Sequence, residues 1–182
     1  MKALYLVDGY SLIYRSYFAF IRNPLFNKKG QNTSAVFGFF KSLYNLLQQY
    51  KPELLAVVMD SIGPTFRHLR YPEYKANREK TPEDLHAQIP VIEKILAAFG
   101  IAFVRLSGFE ADDIIATLAS RCGAENRPCR IISGDKDLLQ LVEGPVKVLQ
   151  SEKGGSFAEL GRDEVYSSWG VYPEQIVDYL SL

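Results

Sequence analysis

The chain has 182 residues, of which 47% are hydrophobic and 23% are charged, and its formal net charge at pH 7 is zero. This composition suits one globular domain with a hydrophobic core, and it excludes binding of a polyanion through overall charge. Two cysteines are too few for a disulfide framework, which favours a reducing cytoplasmic location. We expect neither a signal peptide nor a membrane span, because no apolar run is long enough.

The first third of the chain begins with an apolar run over residues 3–9 that ends in Asp-Gly. This run predicts a buried parallel strand followed by a turn. Ser11 is expected to cap a helix over 11–20. An exposed loop over 21–32 leads to a second amphipathic helix over 33–50.

A second apolar strand, over 54–60, ends in Asp60 and precedes a segment rich in basic and aromatic side chains. The basic residues of this segment are Arg67, Arg70, Lys75, Arg78 and Lys80. Such a run is usually a solvated surface, but here it would overhang the end of an acidic strand. Guanidinium and ammonium groups pair with phosphates, and tyrosines stack on unpaired bases, so the segment predicts contact with nucleic acid. Thr81-Pro82 then predicts the start of a helix over 81–99.

A third strand, over 101–106, leads into an acidic helix start that contains Glu110, Asp112 and Asp113. Carboxylates this crowded repel one another, so one must take up a proton or a cation must lie between them. Acids in a first helical turn also suit the helix dipole, and Ser107 with Glu110 forms a possible capping box. This stretch alone therefore leaves the metal interpretation open.

The last part of the chain contains a fourth strand that begins at Arg130 and ends in Asp135 and Asp137, followed by a short helix. A possible fifth strand over 146–150 precedes a Gly-Gly turn, and short helices are predicted over 162–169 and 173–180. The alternation of strands and helices predicts an α/β fold with a mostly parallel central sheet flanked by helices. In such sheets ligands bind at the carboxyl ends of the strands.

Seven carboxylates are expected to meet at that edge of the sheet. They are Asp8, Asp60, Glu110, Asp112, Asp113, Asp135 and Asp137. A single aspartate at a strand end is usually a turn or cap residue, but acids at the ends of four strands would repel one another without cations. We therefore expect a site for two divalent metals, Mg²⁺ or Mn²⁺, which would activate water and stabilise the leaving oxygen during attack on a phosphodiester.

The sequence resembles the bacterial 5′ nuclease (5′-3′ exonuclease) domain, which forms the N-terminal part of DNA polymerase I and belongs to the flap endonuclease family. The resemblance runs from Met1 to Leu182 through several motifs in the family's order. These motifs are LVDGYSLIYR at 6–15, NTSAVFG at 32–38, PTFRH at 64–68, YKANR at 74–78, GFEADD at 108–113 and SGDKDLLQ at 133–140.

This resemblance implies a PIN-like, Rossmann-like fold and structure-specific 5′-3′ exonuclease or flap endonuclease activity by two-metal-ion catalysis in DNA replication and repair. It implies Mg²⁺ as the cofactor, with Mn²⁺ able to substitute. The implied partners are DNA with 5′ flaps, nicks or RNA primers and a covalently linked DNA polymerase domain. It also implies a monomer in the bacterial cytoplasm, associated with the nucleoid and not with a membrane.

The resemblance also assigns roles to individual residues. The first metal or its surroundings would take Asp8, Asp60, Glu110 and Asp112. The remaining acids, several of which would serve the second metal, are Asp113, Asp135 and Asp137. Lys75 and Arg78 would lie in a basic helical arch over 64–84, close to the scissile phosphate, where they steady the developing charge. Arg67 and Tyr74 would be their nucleic-acid-binding neighbours.

Two departures from the family pattern stand out. Met59 precedes Asp60 where the family has an aromatic residue. The sequence also ends at Leu182, before the family's Gly-Asp-x-Ser-Asp-Asn motif and helix-hairpin-helix. Residues 1–182 are therefore expected to be a nuclease domain truncated before that region, with a weakened second metal site.

Two alternative functions remain. One is a non-catalytic nucleic-acid-binding fragment. The other is a phosphatase with Asp8 as nucleophile, although Tyr10 occupies the position of that class's second aspartate.

Overall fold

A computed structural model describes residues 1–77 and 80–182 of the chain. Its centre is one sheet of six strands: β1 (Leu4–Asp8), β2 (Leu54–Met59), β3 (Ala102–Arg105), β4 (Cys129–Ile132), β5 (Val146–Ser151) and β6 (Phe157–Leu160). The strands lie side by side in the order β3-β2-β1-β4-β5-β6. The first five are parallel, and β6 runs antiparallel to β5.

Helices connect the strands and cover both faces of the sheet. They are α1 (Gly9–Ala19), α2 (Ser34–Tyr50), α3 (Phe66–Arg70), α4 (Glu83–His86), α5 (Ile89–Ala98), α6 (Ala111–Ala124), α7 (Arg162–Trp169) and α8 (Ile176–Ser181). Short 3₁₀ turns occur at Asp137–Leu141, Lys153–Gly155 and Pro173–Gln175.

Strand β1 lies at the centre of the sheet, and its Leu6 and Val7 side chains are fully buried on opposite faces. Because both faces are covered, β1 and β2 are continuous apolar runs and not alternating ones. β1 pairs with β2 on one side and with β4 on the other, so the order of the strands reverses there. In open α/β sheets, a ligand crevice forms outside the carboxyl ends of the strands at such a reversal.

Two hydrophobic layers hold this sheet in place. On one face, α1, α2 and α5 cover the sheet with Leu12, Ile13, Phe39, Ile92 and Leu96. On the other face, α6 and α7 contribute Ile115, Ala119 and Val165. The α/β fold with a mostly parallel sheet flanked by helices, predicted from the alternation of patterns, is confirmed.

The structure differs from the expectations about local structure at three places. Strand β6 was not predicted, because the two glycines at 154 and 155 suggest only a turn, whereas the chain returns through them to pair with β5. The predicted helix over 81–99 is two helices, α4 and α5, with Pro90 in the first turn of α5. The predicted helix over 173–180 begins as a 3₁₀ turn before α8.

The predicted caps also differ. Asp8, and not Ser11, caps α1: its side chain accepts a hydrogen bond from the Ser11 backbone N–H. The Thr81 hydroxyl does not cap α4 and instead hydrogen-bonds the Tyr14 hydroxyl. None of the helices in the described part of the chain is long and apolar enough to cross a membrane.

Candidate functional site

Asp8 lies at the carboxyl end of β1 and is only 4% exposed. Its Oδ1 accepts a hydrogen bond from the Ser11 N–H at 3.1 Å, and its Oδ2 accepts one from the Ser133 hydroxyl at 2.7 Å. The tight turn that follows requires Gly9, because a Cβ at this position would collide with the Met59 sulfur and come within 2.8 Å of the Val58 carbonyl oxygen. The start of α1 therefore touches the end of β2, which brings the ends of the two strands together.

Asp60 directly follows β2. Its Oδ1 accepts a hydrogen bond from the backbone N–H of Ala111, the first residue of α6, at 2.7 Å. A carboxylate at this position satisfies one of the free amides of the helix and interacts favourably with the helix dipole. The contact fixes the acidic start of α6 against the end of β2.

Asp135 follows β4 in a loop that Ser133 organises. The Ser133 hydroxyl donates to Asp8 and accepts a hydrogen bond from the Asp135 N–H at 2.9 Å. Asp137 begins the 3₁₀ turn and donates its N–H to Asp135 Oδ1 at 3.0 Å. Ser133 was not predicted from the sequence as a residue of the site. The available signal was its position directly after a buried strand, because a buried hydroxyl needs a hydrogen-bond partner.

Two carboxyl groups at this edge of the sheet have raised pKa values. Burial, followed by the charges of Asp8, Asp135 and Asp60, raises the pKa of Asp112 from 3.8 to about 7, with the positive charge of Lys75 acting in the opposite direction. Burial also raises the pKa of Asp8 to about 6, against the hydrogen bonds from Ser133 and Ser11. We refer to Asp8, Asp60, Asp112 and Asp135 as the aspartate cluster.

The other two acids of the α6 start contact the basic segment instead. Arg67 donates two hydrogen bonds to Asp113, at 2.7 and 2.8 Å, and these lower the pKa of the Asp113 carboxyl. Glu110 is 7% exposed and accepts hydrogen bonds from the Lys75 ammonium at 2.8 Å and from the Tyr74 hydroxyl at 3.1 Å. The structure thus brings three of the predicted nucleic-acid-binding residues to the border of the aspartate cluster.

Before the undescribed residues 78 and 79, the basic segment contains the short helix α3 and a run of turns that extends to Asn77. His68 accepts a hydrogen bond from the Thr65 backbone N–H at 3.2 Å and so takes part in capping α3. Lys75 has a positive φ of 58°, a conformation that is uncommon outside glycine and asparagine. Arg78, which the family resemblance places beside the scissile phosphate, lies outside the described residues.

The chemistry of the aspartate cluster fits a hard divalent cation. Its side chains offer only carboxylate oxygens, the ligands that Mg²⁺ and Mn²⁺ prefer. A cation would stabilise the charged carboxylates, which burial and the neighbouring charges disfavour and which therefore have raised pKa values in Asp8 and Asp112. Among residues 1–77 and 80–182, no three carboxylate, imidazole or thiol groups already surround one point as a preformed coordination shell. Asp8 and Asp60 instead use oxygens on protein donors.

Comparison with known proteins places this chain in a family. The family model described as the 5′-3′ exonuclease N-terminal resolvase-like domain matches residues 3–170. DNA polymerase I of Treponema pallidum is 53% identical over 181 residues, which cover 100% of this chain and 18% of the relative. The 5′-3′ exonuclease of Aquifex aeolicus is 42% identical over 182 residues, which cover 100% of this chain and 61% of the relative.

A solved structure shares the fold at lower sequence similarity. The bacteriophage T5 flap endonuclease, in a pseudo-enzyme-product complex with DNA and metal ions, superimposes with a TM-score of 0.66 at 20% identity, covering 97% of this chain and 64% of that protein. Since the family model spans most of the chain, membership does not depend on this weaker likeness. The chain therefore belongs to the 5′-3′ exonuclease family and contains its N-terminal resolvase-like domain.

Proposed function

We propose that this chain is the nuclease domain of a metal-dependent 5′-3′ exonuclease and flap endonuclease. Its substrates would be the phosphodiester bonds of DNA at 5′ flaps and nicks, and those of RNA primers. The observation that carries the proposal is the aspartate cluster at the carboxyl ends of parallel strands, where two carboxyl groups have pKa values of about 6 and about 7. Carboxyl groups with perturbed pKa values are typical of functional sites.

The proposed cofactor is Mg²⁺, with two ions in the complete site and Mn²⁺ as a substitute. These carboxylates would hold the divalent ions, which would supply a water nucleophile of lowered pKa and stabilise negative charge on the leaving oxygen. The protein's part is to hold the oxygens in fixed directions, which Ser133 does for Asp8 and the Ala111 amide does for Asp60. The phage T5 complex contains metal ions and DNA, which supports the proposal of a metal cofactor and a DNA substrate for this chain.

The basic segment over 64–84 is proposed as the surface that receives the phosphate backbone. Lys75 and Arg67 lie beside the acids, and their charges are able to pair with a phosphate that approaches the cluster. We propose a charge-stabilising role for Lys75 and Arg78 and a DNA-contacting role for Arg67 and Tyr74. The name of the Treponema pallidum relative supports the further proposal that a polymerase region accompanies this domain in the whole protein.

Cleavage of a 5′-labelled flap duplex tests the proposal. We expect cleavage in Mg²⁺ or Mn²⁺ that stops on addition of a chelator and falls at least about 100-fold in Asp60→Asn and Asp135→Asn, which corresponds to about 2.7 kcal/mol of lost transition-state stabilisation. Asp163→Asn, on α7 and away from the cluster, serves as the matched control. Cleavage that survives both substitutions would contradict the proposal, and flap binding without any cleavage would support the non-catalytic alternative.

A further inference from the structure

Arg105, the last residue of β3, has no part in the roles described so far. Its side chain is only 16% exposed, although a guanidinium is costly to bury without partners. It occupies the strand next to β2, opposite Met59 in the register of the sheet. Its position therefore places a nearly covered cation directly beside the point where Asp60 leaves β2.

The contacts of Arg105 explain how this charge is accommodated. Its Nε donates a hydrogen bond to the backbone carbonyl oxygen of Asp60 at 2.7 Å, and its Nη2 donates to Glu93 Oε1 on α5, also at 2.7 Å. The guanidinium carbon also lies 5.0 Å from the ring centroid of Phe103. The planar fork of an arginine suits this bridging between two acceptors, whereas a lysine presents one nitrogen on a flexible stem.

Asp60 is consequently held on two sides. Arg105 fixes its carbonyl group, and the Ala111 N–H fixes one oxygen of its carboxylate. The next residue is held as well, because the Ser61 N–H donates to the Phe109 carbonyl at 3.1 Å and the Ser61 hydroxyl accepts from the Gly108 N–H at 3.0 Å. With the peptide plane and one oxygen restrained, the direction of the whole Asp60 carboxylate is set.

Glu93 neutralises the positive charge of Arg105. A lone guanidinium bonded to the main chain of Asp60 would repel a cation that approaches the Asp60 carboxylate, because like charges repel one another near a protein surface. The ion pair between Arg105 and Glu93 cancels that charge while leaving the hydrogen bond to Asp60 intact. The pair therefore adds rigidity beside the cluster without adding net positive charge.

We propose that Arg105, neutralised by Glu93, is a positioning residue for Asp60, holding its main chain so that the carboxylate presents an oxygen to a divalent cation in a fixed direction. This inference rests on the proposed function, because it requires a cation at the aspartate cluster. Outer contacts of this kind typically change metal affinity by about 10-fold to 100-fold when they are removed.

The test compares Arg105→Lys with a matched variant, Arg130→Lys. Arg130 makes the same type of contacts near the amino end of β4, away from the carboxyl ends of the strands, with Glu159 Oε2 at 2.6 Å and the Cys129 carbonyl at 3.2 Å. Mn²⁺ affinity is measured by titration with electron paramagnetic resonance, Mg²⁺ and Ca²⁺ affinities by competition, and folding by urea denaturation. Both substitutions preserve charge, so a difference between them reports geometry.

We expect Arg105→Lys to weaken Mn²⁺ binding by about 10-fold and Arg130→Lys to leave it unchanged. Mg²⁺ should lose more affinity than Ca²⁺, because Mg²⁺ demands near-ideal octahedral geometry and Ca²⁺ tolerates displaced ligands. A general loss of stability would not change this selectivity. If Arg105→Lys does not fold, the charge-balanced double variant Arg105→Met with Glu93→Gln is measured in the same way, with the same expected result.

Two results would overturn the inference in distinguishable ways. If the unsubstituted protein binds Mn²⁺ and Arg105→Lys keeps both its affinity and its preference between Mg²⁺ and Ca²⁺, only the positioning role fails. Equal losses in the Arg105 and Arg130 variants lead to the same conclusion. If the unsubstituted protein does not bind Mn²⁺, the cation site itself is absent and the proposed function fails as well.

Discussion

Asp112 carries the clearest sign of electrostatic strain among the residues of the site. Burial and the charges of three other aspartates raise its pKa to about 7, whereas the carboxyl of an unfolded chain titrates near 3.8. The folded state therefore holds the proton more tightly than the unfolded state. The free energy of unfolding consequently falls as the pH rises from about 4 to about 7, and this loss is complete above pH 7.

Replacing Asp112 with Asn should remove that loss. Without divalent metal, we expect the melting temperature of Asp112→Asn to exceed that of the unsubstituted protein at pH 8, and the difference to shrink at pH 5, where Asp112 is already protonated in the folded protein. Thermal unfolding in a chelating buffer measures both differences, with Asp163→Asn as the control. A lower melting temperature for Asp112→Asn at pH 8 would show that its charge is not a source of strain.

Only some features of the site residues could be predicted from the sequence. The positions of Asp8, Asp60 and Asp135 after apolar strands were readable in the sequence, because parallel strands bring their carboxyl ends to one edge. The hydrogen bonds that orient these acids could not be predicted from the sequence. Ser133 reaches across 125 positions in the sequence to Asp8, and no local pattern records such a pairing.

Among the elements, the turn from β1 into α1 is a closely packed junction at the site. A methyl group on Gly9 would meet the Met59 sulfur and the Val58 carbonyl oxygen, both in β2, so α1 would have to move away from the sheet. Gly123, in α6, offers a comparison: a Cβ there would have no neighbour within 4 Å. Two Gly→Ala substitutions in helices should therefore have opposite effects.

We expect Gly9→Ala to lower the free energy of unfolding by about 1–3 kcal/mol, the usual cost of overpacking. Gly123→Ala should instead raise it by about 0.5–1 kcal/mol, because alanine is the better helix former. Urea denaturation of the two variants gives both values. Equal effects of the two substitutions would mean that the close approach of α1 to β2 does not constrain the junction.

The division of the predicted helix over 81–99 shows where periodicity fails. Between α4 and α5, the buried side chain of Gln88 accepts hydrogen bonds from the backbone N–H groups of Ala35 and Val36 in the first turn of α2. These amides have no partners within their own helix, so a side chain from a distant element satisfies them. Pro90 has no N–H to bond back into α4, which accounts for the break between the two helices. Apolar spacing predicts the buried face of a helix, but it does not predict the polar contact made by Gln88 at this break.

At the scale of the whole molecule, the sheet places mutually repelling carboxylates at the reversal of strand order, and the protein contacts fix their positions without removing the repulsion. The family and the fold were predictable from motifs and from the alternation of strands and helices. The pairing of Arg67 with Asp113 and of Lys75 with Glu110 was not, because ion pairs between distant segments depend on the complete fold. The account therefore depends on whether cations relieve the repulsion in the aspartate cluster.

Thermal unfolding with and without Mg²⁺, at pH 8 and at pH 5, tests that claim most directly. A ligand at 100 times its dissociation constant adds about 2.7 kcal/mol of stability, which for a chain of this size raises the melting temperature by about 5–10 °C. We predict a shift of this size at pH 8, a much smaller one at pH 5, where protons occupy Asp8 and Asp112, and little shift in Asp112→Asn at either pH. A Mg²⁺ shift that is absent at pH 8, or equal at both pH values and unchanged in Asp112→Asn, would contradict a cation site in the aspartate cluster.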